Sequence, residues 1–158
     1  MSRVEPESAW DYPRPPRLEP VRHHILVVLG GETVVDTRQG YRVLETSHPP
    51  NYYVPVADVA PGALVRSDGR SFCEWKGRAH YFEVRGGDRV ELDAAWGYDT
   101  PNAGFEPLVD HVAFYPARMD TCHVDGELVT PQAGGFYGGW ITSHVTGPFK
   151  GAPGTRGW

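Results

Sequence analysis

Apolar and polar positions alternate along this chain in short runs, and glycine or proline separates one run from the next. His24-Ile25-Leu26-Val27-Val28-Leu29 and Glu32-Thr33-Val34-Val35-Asp36-Thr37 flank the pair Gly30-Gly31. Two β-branched runs joined in this way predict a hairpin with a primed turn, because glycine takes positive φ without strain. Arg38-Gln39-Gly40 predicts another turn, and Tyr41 to Thr46 a third strand. Pro49, Pro50 and Pro55 should interrupt the ladder, with one helical turn within 54–60. Strand-like runs return at 63–66, 71–76, 79–85, 89–92, 111–115 and 122–129. Asp68-Gly69, Gly86-Gly87 and Asp125-Gly126 mark turns between them, and 102–109 is the other helical stretch. The expectation is a mainly β protein, a compact antiparallel barrel or sandwich with one or two short helices.

Three regions follow from the same pattern. Residues 1–22 carry Pro6, Pro13, Pro15, Pro16 and Pro20 and predict an extended Pro-rich arm, with Trp10 and Tyr12 available to pin it. Residues 23–133 form the β domain. Residues 134–158 combine eight glycines with five aromatics. A flexible linker would be rich in Gly and Ser without large rings, so this tail is expected to pack on the domain.

Composition narrows the class. A chain of 158 residues with 40% apolar content can bury a core as one domain. Its net charge of −5 is dispersed, with no basic stripe to attract nucleic acid. Cys73 and Cys122 are too few for a disulfide framework and read as reduced thiols in a cytoplasmic protein. No apolar run approaches the ~20 residues that cross a bilayer, and residues 1–20 lack a signal-peptide core, so no membrane association is expected.

Among candidate site residues Glu45 comes first. Strand alternation puts Tyr41, Val43 and Glu45 on one face, which would place a carboxylate in the interior with a raised pKa, suited to acid or base work. The alternative is a structural carboxylate paired with Lys76. Phe72, Glu74 and Lys76 share the face opposite Cys73 and Trp75, yet Gly77 would let the Lys76 stem curl over the sheet edge towards an anion. Glu45 and Lys76 are thus the tentative catalytic pair, against ordinary structural roles for both. Trp75, Tyr81, Trp96, Tyr137 and Trp140 are the expected walls of a ligand pocket, against plain core packing.

Other motifs carry less. Cys73 is weighed as a nucleophile, and a buried small hydrophobe is favoured. The seven histidines lack zinc-site spacing, so no metal and no cofactor is expected. Ser47-His48 and Ser143-His144 are adjacent pairs whose side chains diverge in an extended chain. Gly147 to Thr155 lacks the Lys-Ser/Thr step of a phosphate loop.

Several of these pieces together resemble a known family. They are Val43-Leu44-Glu45 leading to Tyr52-Tyr53 and Pro55; Phe72-Cys73-Glu74-Trp75-Lys76-Gly77 with Ala79 and Tyr81; Asp93-Ala94-Ala95-Trp96 with Tyr98 and Pro101; and Val112-Ala113-Phe114. The chain resembles the domain of unknown function 427 family, also labelled nucleotidyltransferase-like, in a longer version with a Gly/aromatic C-terminal tail. Glu74 stands where the family's usual run has proline. The resemblance implies a compact, mostly β fold similar to the tent-like sheets of zinc-binding relatives, without their cysteine quartets, and brings no established reaction. Three functions are carried forward: a pocket for a small planar or anionic molecule, a protein-interaction or homo-oligomerisation module, and nucleotidyl transfer on the family label alone.

Overall fold

The computed structural model describes residues 6–73, 75–134, 137–155 and 157–158. The chain enters through β1 (Glu7–Ser8), a 3-10 turn at Ala9–Asp11 and β2 (Arg17–Val21). The hairpin β3 (Ile25–Leu29) and β4 (Glu32–Thr37) comes next, followed by β5 (Gly40–Leu44) and β6 (Asn51–Pro55). Three ten-residue strands, β7 (Leu64–Cys73), β8 (Gly77–Gly86) and β9 (Arg89–Tyr98), make the longest meander. The chain closes with β10 (His111–Phe114), β11 (Thr121–Val124), β12 (Glu127–Leu128), β13 (Thr130–Pro131), β14 (Trp140–Ile141) and β15 (Val145–Thr146). Among the described residues helix is confined to single 3-10 turns, two of them at Val56–Asp58 and Glu106–Leu108, inside the stretches read as helical.

Two antiparallel sheets carry the architecture. The larger has the order β2-β5-β6-β10-β9-β8-β7 and the smaller β12-β11-β3-β4. The apolar residues between them form one core: Ile25, Val27 and Leu29 of β3 pack with Tyr52 and Val54 of β6, Val84 of β8 and Phe114 of β10. Each such aliphatic or aromatic side chain contributes about 1.5–3 kcal/mol on full burial. The fold is sandwich-like, with no closed barrel, because the large sheet ends at β2 on one side and β7 on the other. No helix among the described residues is long and apolar enough to cross a membrane.

The large sheet is also covered on its outer face. Val43, Tyr53, Ala79, Trp96, Tyr98 and Ala113 project there with Phe105 and Leu108. Tyr53 thus belongs to the outer cluster, while its strand neighbours Tyr52 and Val54 belong to the inner one.

The Gly30-Gly31 hairpin forms as expected, with φ of 61° and 76° at the two glycines. The third strand forms as β5 and pairs with β2 and β6, so the turn at 38–39 carries the chain from the small sheet to the large one. Other expectations need correction. Pro49, Pro50 and Pro55 do not break the ladder, because they lie before the first residue of β6 or at its last. Pro49 and Pro50 precede the paired positions, and Pro55 pairs only with His111 of β10, beyond the residues of β6 that pair with β5, so β6 is a central strand. Asp68-Gly69 is not a hairpin turn. It sits within β7, where the register with β8 shifts between Arg66 and Arg70. Arg17–Val21, placed in the arm by sequence, is the outer strand of the large sheet, with Pro20 opposite Tyr41.

The tail is built into this frame. β14 pairs with β13, and β15 runs parallel to β1. Trp140 is 1% exposed, packs at 5.2 Å from the Tyr52 ring and donates its indole N–H to the Phe114 carbonyl at 3.1 Å.

Candidate functional site

Above the outer face of the large sheet lies a cavity of about 180 Å³. Its floor comes from alternate residues of neighbouring strands: Val43 of β5, Asn51 of β6, Ser71 of β7, Ala79 and Tyr81 of β8, and Trp96 and Tyr98 of β9. Its sides come from the loop carrying Glu45, His48 and Pro49, from Lys76 in the β7–β8 turn, from Tyr115, and from Tyr137 and Gly138 of the tail.

Local structure fixes each polar group. The strand ends at Leu44, and the His48 N–H donates to the Glu45 carbonyl at 3.0 Å, closing a turn that directs both side chains to the cavity. This turn is tied on both sides: the Ser47 N–H donates to Ala9, and Ser47 accepts from the Lys150 N–H. Lys76 follows the end of β7, and Gly77 takes φ 114° to start β8. The carbonyls of Trp75 and Lys76 accept from the Asn102 side chain and N–H. The turn ends strand alternation, which is why Lys76 reaches the same outer side as Trp75 instead of the opposite face.

The protonation pattern of the centre can be read from hydrogen bonds. The Gly139 N–H donates to Gln132 Oε1 at 3.2 Å, which turns the amide nitrogen the other way. That nitrogen donates to the Lys150 carbonyl at 2.7 Å and to His48 Nδ1 at 3.3 Å. A ring nitrogen that accepts carries no proton, so the imidazole proton belongs on Nε2, 3.6 Å from Glu45 Oε2. Burial, followed by the charges of Lys150, Arg14 and Lys76, lowers the His48 pKa to about 4. His48 is therefore neutral at pH 7, with its N–H turned to the carboxylate.

The aromatic walls are organised by contacts among themselves. Trp96 packs 4.6 Å from Tyr115 and edge-on to Tyr53, to whose hydroxyl it donates at 3.2 Å. Tyr81 and Ser71 share a hydrogen bond of 2.8 Å. Burial, then the neighbouring Tyr81, pushes the Tyr115 hydroxyl well above its ordinary pKa. The Tyr137 ring stands edge-on to His48 at 4.8 Å, with the Lys150 ammonium 5.5 Å from its centre. Asn51 Oδ1 is buried and has no hydrogen-bond partner.

Of the residues expected at the site, Glu45, Lys76, Tyr81, Trp96 and Tyr137 line this one cavity. Trp140 does not; it is a core side chain between the sheets. Trp75 packs against the outer cluster beside the cavity without lining it. Glu45 is not an interior carboxylate: its side chain keeps 25% exposure at the rim and lies 3.7 Å from Arg14. Lys76 is the deeper of the two, at 8% exposure. The Cys73 side chain and Glu74 lie outside the described residues. Cys122 is free and buried, and burial pushes its thiol up to about 12, as befits a small core residue.

Sequence reasoning missed His48, Asn51 and Gln132 as site members. In the sequence His48 reads as one of seven histidines without zinc-site spacing and as half of a Ser-His pair; its neighbour Ser47 is fully buried with φ 69°. Asn51 lay hidden in a segment read as broken by proline. Gln132 carried no signal, because its role depends on the tail folding back. Among the described residues no three His, Cys, Asp or Glu side chains gather as a metal-ligand set.

The class defined by these features is a sandwich-like β domain with a small, ring-walled, partly charged hollow on one sheet face. The profile of a family described as Domain of unknown function (DUF427) matches residues 17–125, and the chain belongs to that family. Among curated proteins none matches the chain. The family match covers β2 to β11, whereas Gln132, Tyr137, Gly138 and Lys150 lie beyond it.

Proposed function

We propose that this protein binds a small, planar, anionic molecule in the cavity above the large sheet. The observation that carries the reading is the positive charge gathered on His48: Lys150, Arg14 and Lys76 all act on it, with the Glu45 carboxylate 3.6 Å from its Nε2. An anion entering such a site supplies a counter-charge where low-dielectric walls concentrate the field. Shape supports a flat ligand, since Trp96, Tyr98, Tyr115, Tyr81 and Tyr137 present ring surfaces. Size supports a single ring, because 180 Å³ falls short of the roughly 300–1,000 Å³ typical of drug-sized ligands.

In this reading Lys76 holds the negative charge, and Glu45 and His48 orient polar edges of the ring. The test is a melting-temperature titration with the planar anions benzoate, nicotinate and orotate, alongside their neutral amides. Ligand that binds only the native state raises Tm with concentration. A rise with at least one anion, absent for its amide and lost in Lys76→Met, supports the reading. If none of the anions shifts wild-type Tm, the reading fails.

A further inference from the structure

We infer that Lys76 acts as an amine nucleophile and that the ligand carries a carbonyl beside its carboxylate, so that the two condense to an imine in the cavity. This rests on the binding reading above and adds the chemical class of the ligand. Composition gives the first observation. The fifteen basic side chains of the chain include just two lysines, Lys76 and Lys150. Lys76 lines the cavity, and the Lys150 ammonium stands 5.5 Å from the centre of the Tyr137 ring in its wall. Ion pairs elsewhere use arginine, as Arg42 does with Glu7 and Glu19, Arg66 with Asp99 and Arg89 with Asp120. Arginine would attract an anion at least as well, through its fork of donors. It cannot release a proton and attack a carbonyl carbon, whereas a lysine amine can.

Placement gives the second. Lys76 is 8% exposed and shares the cavity lining with Val43, Trp96 and Tyr98. It is also one of three cations, with Lys150 and Arg14, whose charges reach His48. Burial beside other cations is the setting in which a lysine amine becomes reactive. The step balances without a further reagent. The ammonium gives a first proton to the lining, where Glu45 supplies a carboxylate. The freed lone pair bonds to the carbonyl carbon, and the carbonyl π pair moves to oxygen, which takes that proton. The oxygen then leaves as water with a second proton from nitrogen as the C=N bond forms. The third proton stays on the iminium nitrogen, so the positive charge remains beside the ligand's carboxylate. Walls that keep water out protect the imine from hydrolysis. A 2-oxo acid with a flat ring combines the carboxylate, the carbonyl and the shape.

Phenylglyoxylate is the probe, with mandelate, its alcohol, as the control that lacks the carbonyl. The wild-type chain is incubated with each in sodium cyanoborohydride, and the products are read by intact mass and peptide mapping. Phenylglyoxylate should leave a mass gain equal to the ligand acid less one oxygen, mapped mainly to Lys76 and not to Lys150, and excess benzoate should suppress it. Mandelate should leave none. If both acids raise Tm yet no adduct maps to Lys76, the imine is overturned while anion binding stands. Labelling of Lys76 no faster than Lys150 is bulk amine reactivity and overturns it as well. If neither acid nor benzoate raises Tm, the binding reading itself fails. Lys76→Arg provides the second arm: shown to be folded by its own melting transition, it should lose the adduct. An undiminished mass gain in that variant would move the chemistry off Lys76.

Discussion

Gly138 lies so close to Trp96 that a Cβ added there would stand 2.3 Å from the far edge of the indole. The tail and the central wall of the cavity are therefore fitted to each other at a point that admits no side chain.

Gly138→Ala should force either the tail or the indole to move. Overpacking of this kind typically costs about 1–3 kcal/mol. Trp96 is held by Tyr53 and Tyr115, so the tail is the part expected to give way. Urea denaturation should show the loss of stability, and the Trp96 environment, followed by near-ultraviolet circular dichroism, should change with it. A variant indistinguishable from wild type in both measurements would contradict the contact.

His48 makes stability depend on mild acid. Its pKa falls from 6.5 in the unfolded chain to about 4 when folded, so between those values the unfolded state holds the proton more tightly. The associated stability is fully present above pH 6.5 and is lost as pH falls towards 4. At about 1.4 kcal/mol per pH step the loss is on the order of 3 kcal/mol. Chemical denaturation at pH 7, 5.5 and 4 should show this slope in wild type and a shallower one in His48→Gln. An equal slope in both would mean that His48 titrates normally.

Trp140 ties the tail to the core, so Trp140→Ala should cost about 3–5 kcal/mol. That is a large share of the roughly 5–15 kcal/mol available to a typical domain. Ending the chain before residue 134 removes the same side chain and should lower Tm by a comparable amount. A truncated protein that melts with wild-type Tm would show that the tail is dispensable.

Much of the fold was legible because strand alternation and Gly-containing turns are local signals. β3, β4 and their Gly-Gly turn follow directly from residues 24–37. β6 was obscured because the effect of a proline depends on whether its N–H position falls inside the ladder, which only pairing decides. Glu45 and Lys76 line one cavity, but they reach it through turns rather than strand faces, and turns end the alternation from which faces are read. Trp140 could not be assigned to core or cavity from sequence, since both environments reward a large ring with one polar N–H. Gln132 and Asn51 act through contacts made across long stretches of chain, and no local pattern records them.

The two ends of the large sheet carry a last consequence. On one side Pro20 interrupts the row of amide donors along β2, and on the other the shift between Arg66 and Arg70 bends β7 and lines it with charge. Such borders are poor templates for a neighbouring backbone. The protein can thus keep a broad, strongly hydrogen-bonded platform beneath its hollow at high concentration without seeding fibrils from its rims.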